Sequence, residues 1–232
     1  MLPYIKMLVE KIGQGEYGDV YKGCLNKMCR YKYAAKDTRE DMSLEYRIGL
    51  LAYKAAPDGV VKPYKYVDGI LYTQYVPLTN ITPKNFNKVF KKVLITLMKI
   101  QKKYPSFRHN DLNHNNVFVT KDGNAFIGDF GLANIQLPGY KNPTIQSMDF
   151  KESHGTYPNC DPRFDIHFFL NSLYLDGSPQ IKKIVRKYLP REYIGASSPK
   201  LAMGRLRAGV SHKSLPTMKQ LFSMVNINEQ KL

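Results

Sequence analysis

Arg108-His109-Asn110-Asp111-Leu112-Asn113-His114-Asn115-Asn116-Val117-Phe118-Val119, followed closely by Ile127-Gly128-Asp129-Phe130-Gly131, is the passage on which the fold reading turns. Asp111 stands five residues before Asn116, a short apolar run follows, and a second carboxylate, Asp129, opens an Asp-Phe-Gly turn. Oxygen ligands suit a hard divalent cation, and Asn116 and Asp129 are the candidates for holding one. The apolar runs 117–119 and 125–127 read as a short strand pair that keeps these groups at fixed separation.

Upstream, Gly13, Gly15 and Gly18 make G-x-G-x-x-G, with Val20 two residues on. Dinucleotide-binding folds use the same spacing, but there the turn opens a helix and meets an acidic residue about 20 positions later. Here the chain alternates instead through Val20-Tyr21-Lys22 and runs toward a strand-like stretch at 30–35. A hairpin with glycines at its tip lets backbone amides come close to phosphates. One hairpin later, Tyr33-Ala34-Ala35-Lys36 brings a lysine to the end of a strand.

Taken in order, these parts resemble the eukaryotic-type protein kinases, whose catalytic loop is written H-R-D-L-x-x-x-N, whose metal turn is D-F-G and whose phosphate-gripping lysine sits in V-A-x-K. The resemblance covers about residues 8–175, and the compact form looks like the serine/threonine kinases of large DNA viruses. It implies an α+β, two-lobed fold: a small antiparallel sheet of five strands with one main helix over residues 1–78, then a larger, mainly helical lobe over 79–232. It also implies ATP and Mg2+ as cofactors, and transfer of the γ-phosphate to a protein hydroxyl.

Role by role, the resemblance makes Asp111 the catalytic carboxylate, Lys36 the grip on the α- and β-phosphates, and Asn116 and Asp129 the magnesium ligands. Ile12, Gly13, Gly15, Gly18 and Val20 would cover the nucleotide, Ala34 and Phe118 would enclose adenine, and Thr73 would guard the pocket behind it. Backbone groups of Gln74 and Val76 would bond the base. Residues 41–53 read as a helix with Leu44, Ile48 and Leu51 on one face. Glu45 is the candidate partner of Lys36, and Glu40 is the competitor because this helix starts close to the lysine. His109 would pack beneath Phe130, and Asp165 would support the catalytic loop from a buried helix. Residues 82–103 form a core helix without chemistry, and shorter helical stretches follow from 178.

Departures from the family pattern carry information too. Asn110 stands where many kinases have the Arg that meets an activation-loop phosphate, so control through loop phosphorylation is not expected. Asn113 stands where serine/threonine kinases have a lysine on the γ-phosphate; it can hydrogen-bond but cannot neutralise charge, with His114 as the substitute cation. Gly155-Thr156 resembles the G-T before the substrate-docking loop, yet no Ala-Pro-Glu follows. Two other readings stay open: a small-molecule kinase of the aminoglycoside or choline type, and a pseudokinase scaffold that binds acidic partners.

The remaining properties bound the function class. A formal net charge of +16 points to acidic partners, among them an acidic or nucleic-acid-associated protein substrate, with direct nucleic-acid binding left open. No apolar run approaches the roughly 20 residues of a membrane span, and the N-terminus lacks signal-peptide character. Cys24, Cys29 and Cys160 are too few for a disulfide framework or a zinc site. The expectation is free thiols in a soluble, intracellular protein, in host cytoplasm or virion if the source is viral.

Overall fold

A computed structural model describes residues 8–15, 18–24, 32–37, 40–146, 161–190 and 215–229. The architecture is mixed α+β. Strands β1 (Leu8–Gly15), β2 (Gly18–Cys24), β3 (Lys32–Asp37), β4 (Pro63–Val67) and β5 (Ile70–Gln74) form one antiparallel sheet in the order β1-β2-β3-β5-β4. Asp68 and Gly69, both at positive φ, close the two-residue hairpin between β4 and β5, a turn that such residues accept at little cost.

Register decides what each face of the sheet carries. Val20 lies opposite Lys36, Lys36 opposite Leu71, and Ala34 opposite Thr73. Facing residues of an antiparallel pair share a side, so these five line one face. Tyr33, Ala35 and Tyr72 form a separate buried cluster on the other. Tyr33 sits directly on Gly23, where an added Cβ would come within 2.1 Å of the ring.

Helix α1 (Ser43–Ala55) joins β3 to β4. Its start falls two residues later than the hydrophobic spacing predicts, because Asp41 turns back to accept the Ser43 N–H at 2.8 Å. Helix α2 (Phe86–Lys103) also begins late. Thr82 and Asn85 exchange main-chain-to-side-chain hydrogen bonds at 2.7 and 3.4 Å, a capping box ahead of the first full turn. From Phe86 onward the expected stripe (Val89, Phe90, Val93, Leu94, Leu97, Ile100) is buried.

Short strands β6 (Val117–Val119) and β7 (Ala125–Ile127) pair antiparallel where the sequence suggests. Among the described residues four helices follow: α3 (Pro143–Gln146), α4 (Phe164–Asp176), α5 (Pro179–Val185) and α6 (Met218–Glu229). The core joins α2, α4, β6 and β7, with Phe90 in ring contact with Phe86, Phe169 and Tyr188.

The α1–β4 connection stitches the sheet to the helical part. Val61 N–H donates to Ile127 O at 2.9 Å, and Ile127 N–H donates to Gly59 O at 2.8 Å. Gly59 lies so close to α2 that a Cβ would meet Thr96 Oγ1 at 1.9 Å. Asp58 accepts Lys92 and Lys99 at 2.8 and 2.9 Å beside it.

One expectation is corrected. Cys24 is disulfide-bonded, not a free thiol, and its partner lies outside the described residues. Spacing along the chain says nothing about which cysteine a strand end approaches in space. Gly155-Thr156 also lies outside the described residues.

Candidate active site

A strand, a helix and the turn after β7 meet at Lys36. Its Nζ lies 3.1 Å from Glu45 Oε2 on α1 and 3.1 Å from Asp129 Oδ1 after β7. Lys36 is delivered by β3, whose alternation turns Ala34 and Lys36 to the same face. Of the two acids weighed for this lysine, Glu45 is the one it reaches. Burial and the neighbouring charges shift both Glu45 and Lys36. Burial pushes the Glu45 carboxyl up to about 7; the Lys36 ammonium pulls it back and the Asp129 charge adds to the rise. Burial also works against the Lys36 charge, but Glu45 and Asp129 outweigh it and hold the ammonium above its ordinary value. Two carboxylates share one ammonium, and Glu45 is the more enclosed of the two.

The stretch from His109 to Asn116 is suspended from α4. Asp165, wholly buried, accepts His109 N–H on Oδ2 and Asn110 N–H on Oδ1, both at 2.9 Å. These bonds hold Asn110 at φ +65°, a left-handed conformation that Asn tolerates better than most residues. The Asn110 side chain donates to Leu132 O at 2.9 Å, so the position that carries Arg in many kinases here makes a neutral link to the segment after the Asp-Phe-Gly turn. His109 Nε2 lies 3.0 Å from Gly128 O, and its ring centroid is 5.1 Å from that of Phe130. Phe130 in turn packs toward Gly49 of α1.

Two amides clamp the Asp111 carboxylate. Asn113 Nδ2 donates to Oδ1 at 3.1 Å, and Asn116 Nδ2 donates to Oδ2 at 2.9 Å and to the Asp111 carbonyl at 2.7 Å. Asn113 Oδ1 meanwhile accepts Asn115 N–H at 2.9 Å and caps the 3-10 turn His114–Asn116. Asn113 therefore acts on Asp111. His114, weighed as a substitute cation, hangs on α4 instead: its N–H donates to Ser172 Oγ at 2.9 Å and its Nδ1 lies 3.9 Å from Asp176.

Around this centre, Val20, Ala34 and Thr73 share the sheet face that carries Lys36. Ile12 occupies the extra position of an irregularity in β1 and is 41% exposed, a large apolar side chain at the rim. Gly15 pairs with Gly18, whose φ of +148° demands glycine. Gly13 has no such need: a Cβ there would meet Val20 at an ordinary 3.8 Å. Phe118 in β6 presses on Gly128, where a Cβ would come within 2.6 Å of the ring. The Gln74 N–H is taken by Lys62 O at 2.8 Å, and the Val76 side chain is buried.

Sequence reasoning missed a second set of amides. Asn142, buried, donates to Gly131 O at 2.8 Å and Ala133 O at 3.2 Å, and its N–H reaches Asn134 Oδ1 at 2.8 Å. Asn134 and Arg108 exchange main-chain bonds at 2.9 and 3.0 Å. The signal for Asn142 was present: Asn followed by Pro143 is a helix-start pattern, and its Oδ1 accepts Thr144 N–H at 3.0 Å.

The donor chemistry fits magnesium with a nucleotide. No cluster of three His, Cys, Asp or Glu side chains occurs among the described residues, so no all-protein metal cage forms there. Magnesium in nucleotide sites takes only one or two protein oxygens, with phosphates and water completing its shell. Asn116 spends its Nδ2 on Asp111, which leaves the amide oxygen for a cation, and the Asp129 carboxylate is 42% exposed.

No protein-family model matches the chain. It is similar to a protein of Acanthamoeba polyphaga mimivirus named as a serine/threonine-protein kinase, 26% identical over 167 residues, 57% of this chain and 36% of the relative. It is also similar to an Arabidopsis thaliana protein named as an L-type lectin-domain containing receptor kinase, 26% identical over 177 residues, 66% of this chain and 33% of the relative. The chain thus spans about a third of the length of these relatives. Both names support a kinase-like family. No helix among the described residues is long and apolar enough to cross a membrane.

Proposed function

We propose that this chain is a protein kinase that uses ATP and Mg2+ to phosphorylate a serine or threonine hydroxyl. The observation that carries the reading is the Lys36–Glu45–Asp129 triangle, together with an Asp111 carboxylate clamped on both oxygens. In this reading residues 1–78 form a nucleotide-binding lobe and 79–232 the catalytic and substrate lobe. Asp129 and the Asn116 amide oxygen would hold magnesium, which would supply charge neutralisation on the phosphates.

The protein's own groups do the positioning. Lys36, oriented by Glu45, donates to the α- and β-phosphates, while Gly13, Gly15 and Gly18 let main-chain amides approach. Ile12, Val20, Ala34, Thr73 and Phe118 enclose the base, with the Gln74 carbonyl and the Val76 main chain bonding its edge. Asp111 orients the acceptor hydroxyl and takes its proton, and the amides of Asn113 and Asn116 fix the plane of that carboxylate. Phosphoryl transfer asks little of a base and much of alignment, which suits a carboxylate locked on both oxygens.

The test is transfer of labelled γ-phosphate with magnesium to casein-like and basic protein substrates, with small alcohols alongside. Label on protein serine or threonine, lost in Asp111→Asn and in Asp129→Asn, is the expected result. Label on small alcohols alone would move the assignment to a small-molecule kinase. Absence of both transfer and magnesium-dependent ATP binding would overturn it.

A further inference from the structure

The excess positive charge is not used up by the candidate active site. Helix α2 has a second face, where Ile95, Met98, Lys99 and Lys102 recur at i, i+3, i+4 and i+7 away from the core stripe. Helix α6 sets Met218, Lys219 and Phe222 beside it, and an open cavity of about 810 Å³ lies between them. The polar groups at its end are satisfied within the protein. Asp161 is bound by Arg163 at 2.9 and 2.6 Å, Arg163 Nη1 donates to Leu215 O at 2.8 Å, and Gln101 Nε2 donates to Pro162 O at 3.0 Å. What faces outward is a floor of Ile95, Met98, Met218 and Phe222 under a rim of lysines. Asp161, engaged by Arg163, is the single acidic side chain among the lining residues.

An apolar trough between two helices accepts the apolar stripe of a third, and methionine-lined floors adapt to such stripes. The basic rim selects the sign of the flanking charges. We infer that this groove docks an acidic amphipathic helix of a partner protein, apolar stripe down between α2 and α6 and carboxylates against Lys102 and Lys219. A nucleic-acid strand is the poorer occupant, because its phosphates match the rim but offer nothing that buries the four apolar side chains. The inference stands apart from the phosphotransfer reading, since it uses none of that site's residues.

The test uses the full chain and a fluorescein-labelled synthetic peptide of about four helical turns. The peptide carries Leu and Phe at i, i+3/i+4 and i+7, Glu at the flanks, and one photo-reactive leucine in the stripe. Controls replace every Glu by Lys, or every Leu and Phe by Ala, and a DNA oligonucleotide of matched charge serves as competitor. By fluorescence anisotropy the acidic amphipathic peptide alone binds. The K102E/K219E double variant and Met98→Asp each weaken it by about tenfold or more, with melting curves like the parent's. Cross-linking falls on Met98 or Met218. No binding, equal binding of the alanine-stripe peptide, displacement by the DNA, unchanged affinity in the variants, or cross-links elsewhere would each overturn the inference.

Discussion

Replacing Asp165 by Asn changes a single atom's chemistry at the point where α4 carries the proposed catalytic loop. The carboxylate accepts two main-chain N–H groups, from His109 and Asn110, each at 2.9 Å and shut off from water. An amide in the same place offers one acceptor and one donor, so one N–H remains bonded and the other faces N–H. A hydrogen bond to a charged group contributes about 1.5–3 kcal/mol, and a buried unsatisfied N–H costs about 1–3 kcal/mol. With part of the loss recovered by local adjustment, Asp165→Asn should lower unfolding free energy by about 3 kcal/mol, among the larger effects of single substitutions. Urea titration measures this as a shift in midpoint at unchanged slope. The loop effect should exceed the stability effect. Asn110 sits at φ +65° because those bonds hold it, and Asp111 follows it directly. In conditions where the variant is fully folded, kcat of the proposed phosphotransfer should fall by about 100-fold, as misplacements near 1 Å do, while KM for ATP changes little. Asp176→Asn, at the exposed end of α4, is the control and should change stability by less than about 0.5 kcal/mol. Were Asp165→Asn to unfold within about 1 kcal/mol of the parent, the suspension of the loop from α4 would be refuted.

Four further outcomes follow from the same structure. Gly59→Ala drives a Cβ to 1.9 Å from Thr96 Oγ1 and should cost about 3 kcal/mol in urea unfolding, partly restored by adding Thr96→Ala. Gly128→Ala, with its Cβ 2.6 Å from the Phe118 ring, should displace that ring and weaken ATP binding measured by calorimetry more than it lowers the melting temperature. Glu45, raised to about 7 from an ordinary 4.5, binds its proton more tightly in the folded state. Its contribution is therefore fully present below pH 4.5 and lost as pH rises through 7, and Glu45→Gln should remove that slope from the melting temperature. Burial holds His167 down to about 4, so its contribution is present above pH 6.5 and lost as pH falls toward 4. His167→Gln, which keeps a donor for Pro216 O, should flatten the acid limb. The two groups act in opposite senses over overlapping pH ranges, so the differences between variant and parent are what melting curves must compare.

Short-range features were legible from the chain. The core stripe of α2, the β6–β7 pair and the glycine-flanked β1–β2 hairpin appear where periodicity and turn chemistry set them. Helix starts were read two to four residues early, since Asp41 and the Thr82–Asn85 pair bond the main chain before the first full turn. The Asn142 cap carried a local signal, but its reach back to Gly131 and Ala133 did not.

What the sequence by itself determined is the inventory: which carboxylates, amides and glycines exist, at what spacing, and on which strand or helix they ride. Only the tertiary structure decided their partners. Glu45 rather than Glu40 reaches Lys36, Asp129 joins that pair from 93 residues away, and Asp165 takes two N–H groups across 55 and 56 residues. His114 leaves Asp111 for α4, Thr96 forbids a side chain at Gly59, and α6 closes a groove on the outer face of α2. The reason is physical. Periodicity and capping report energies within a few residues along the chain, whereas burial, shared charge and steric exclusion arise between surfaces that meet only once the chain has packed.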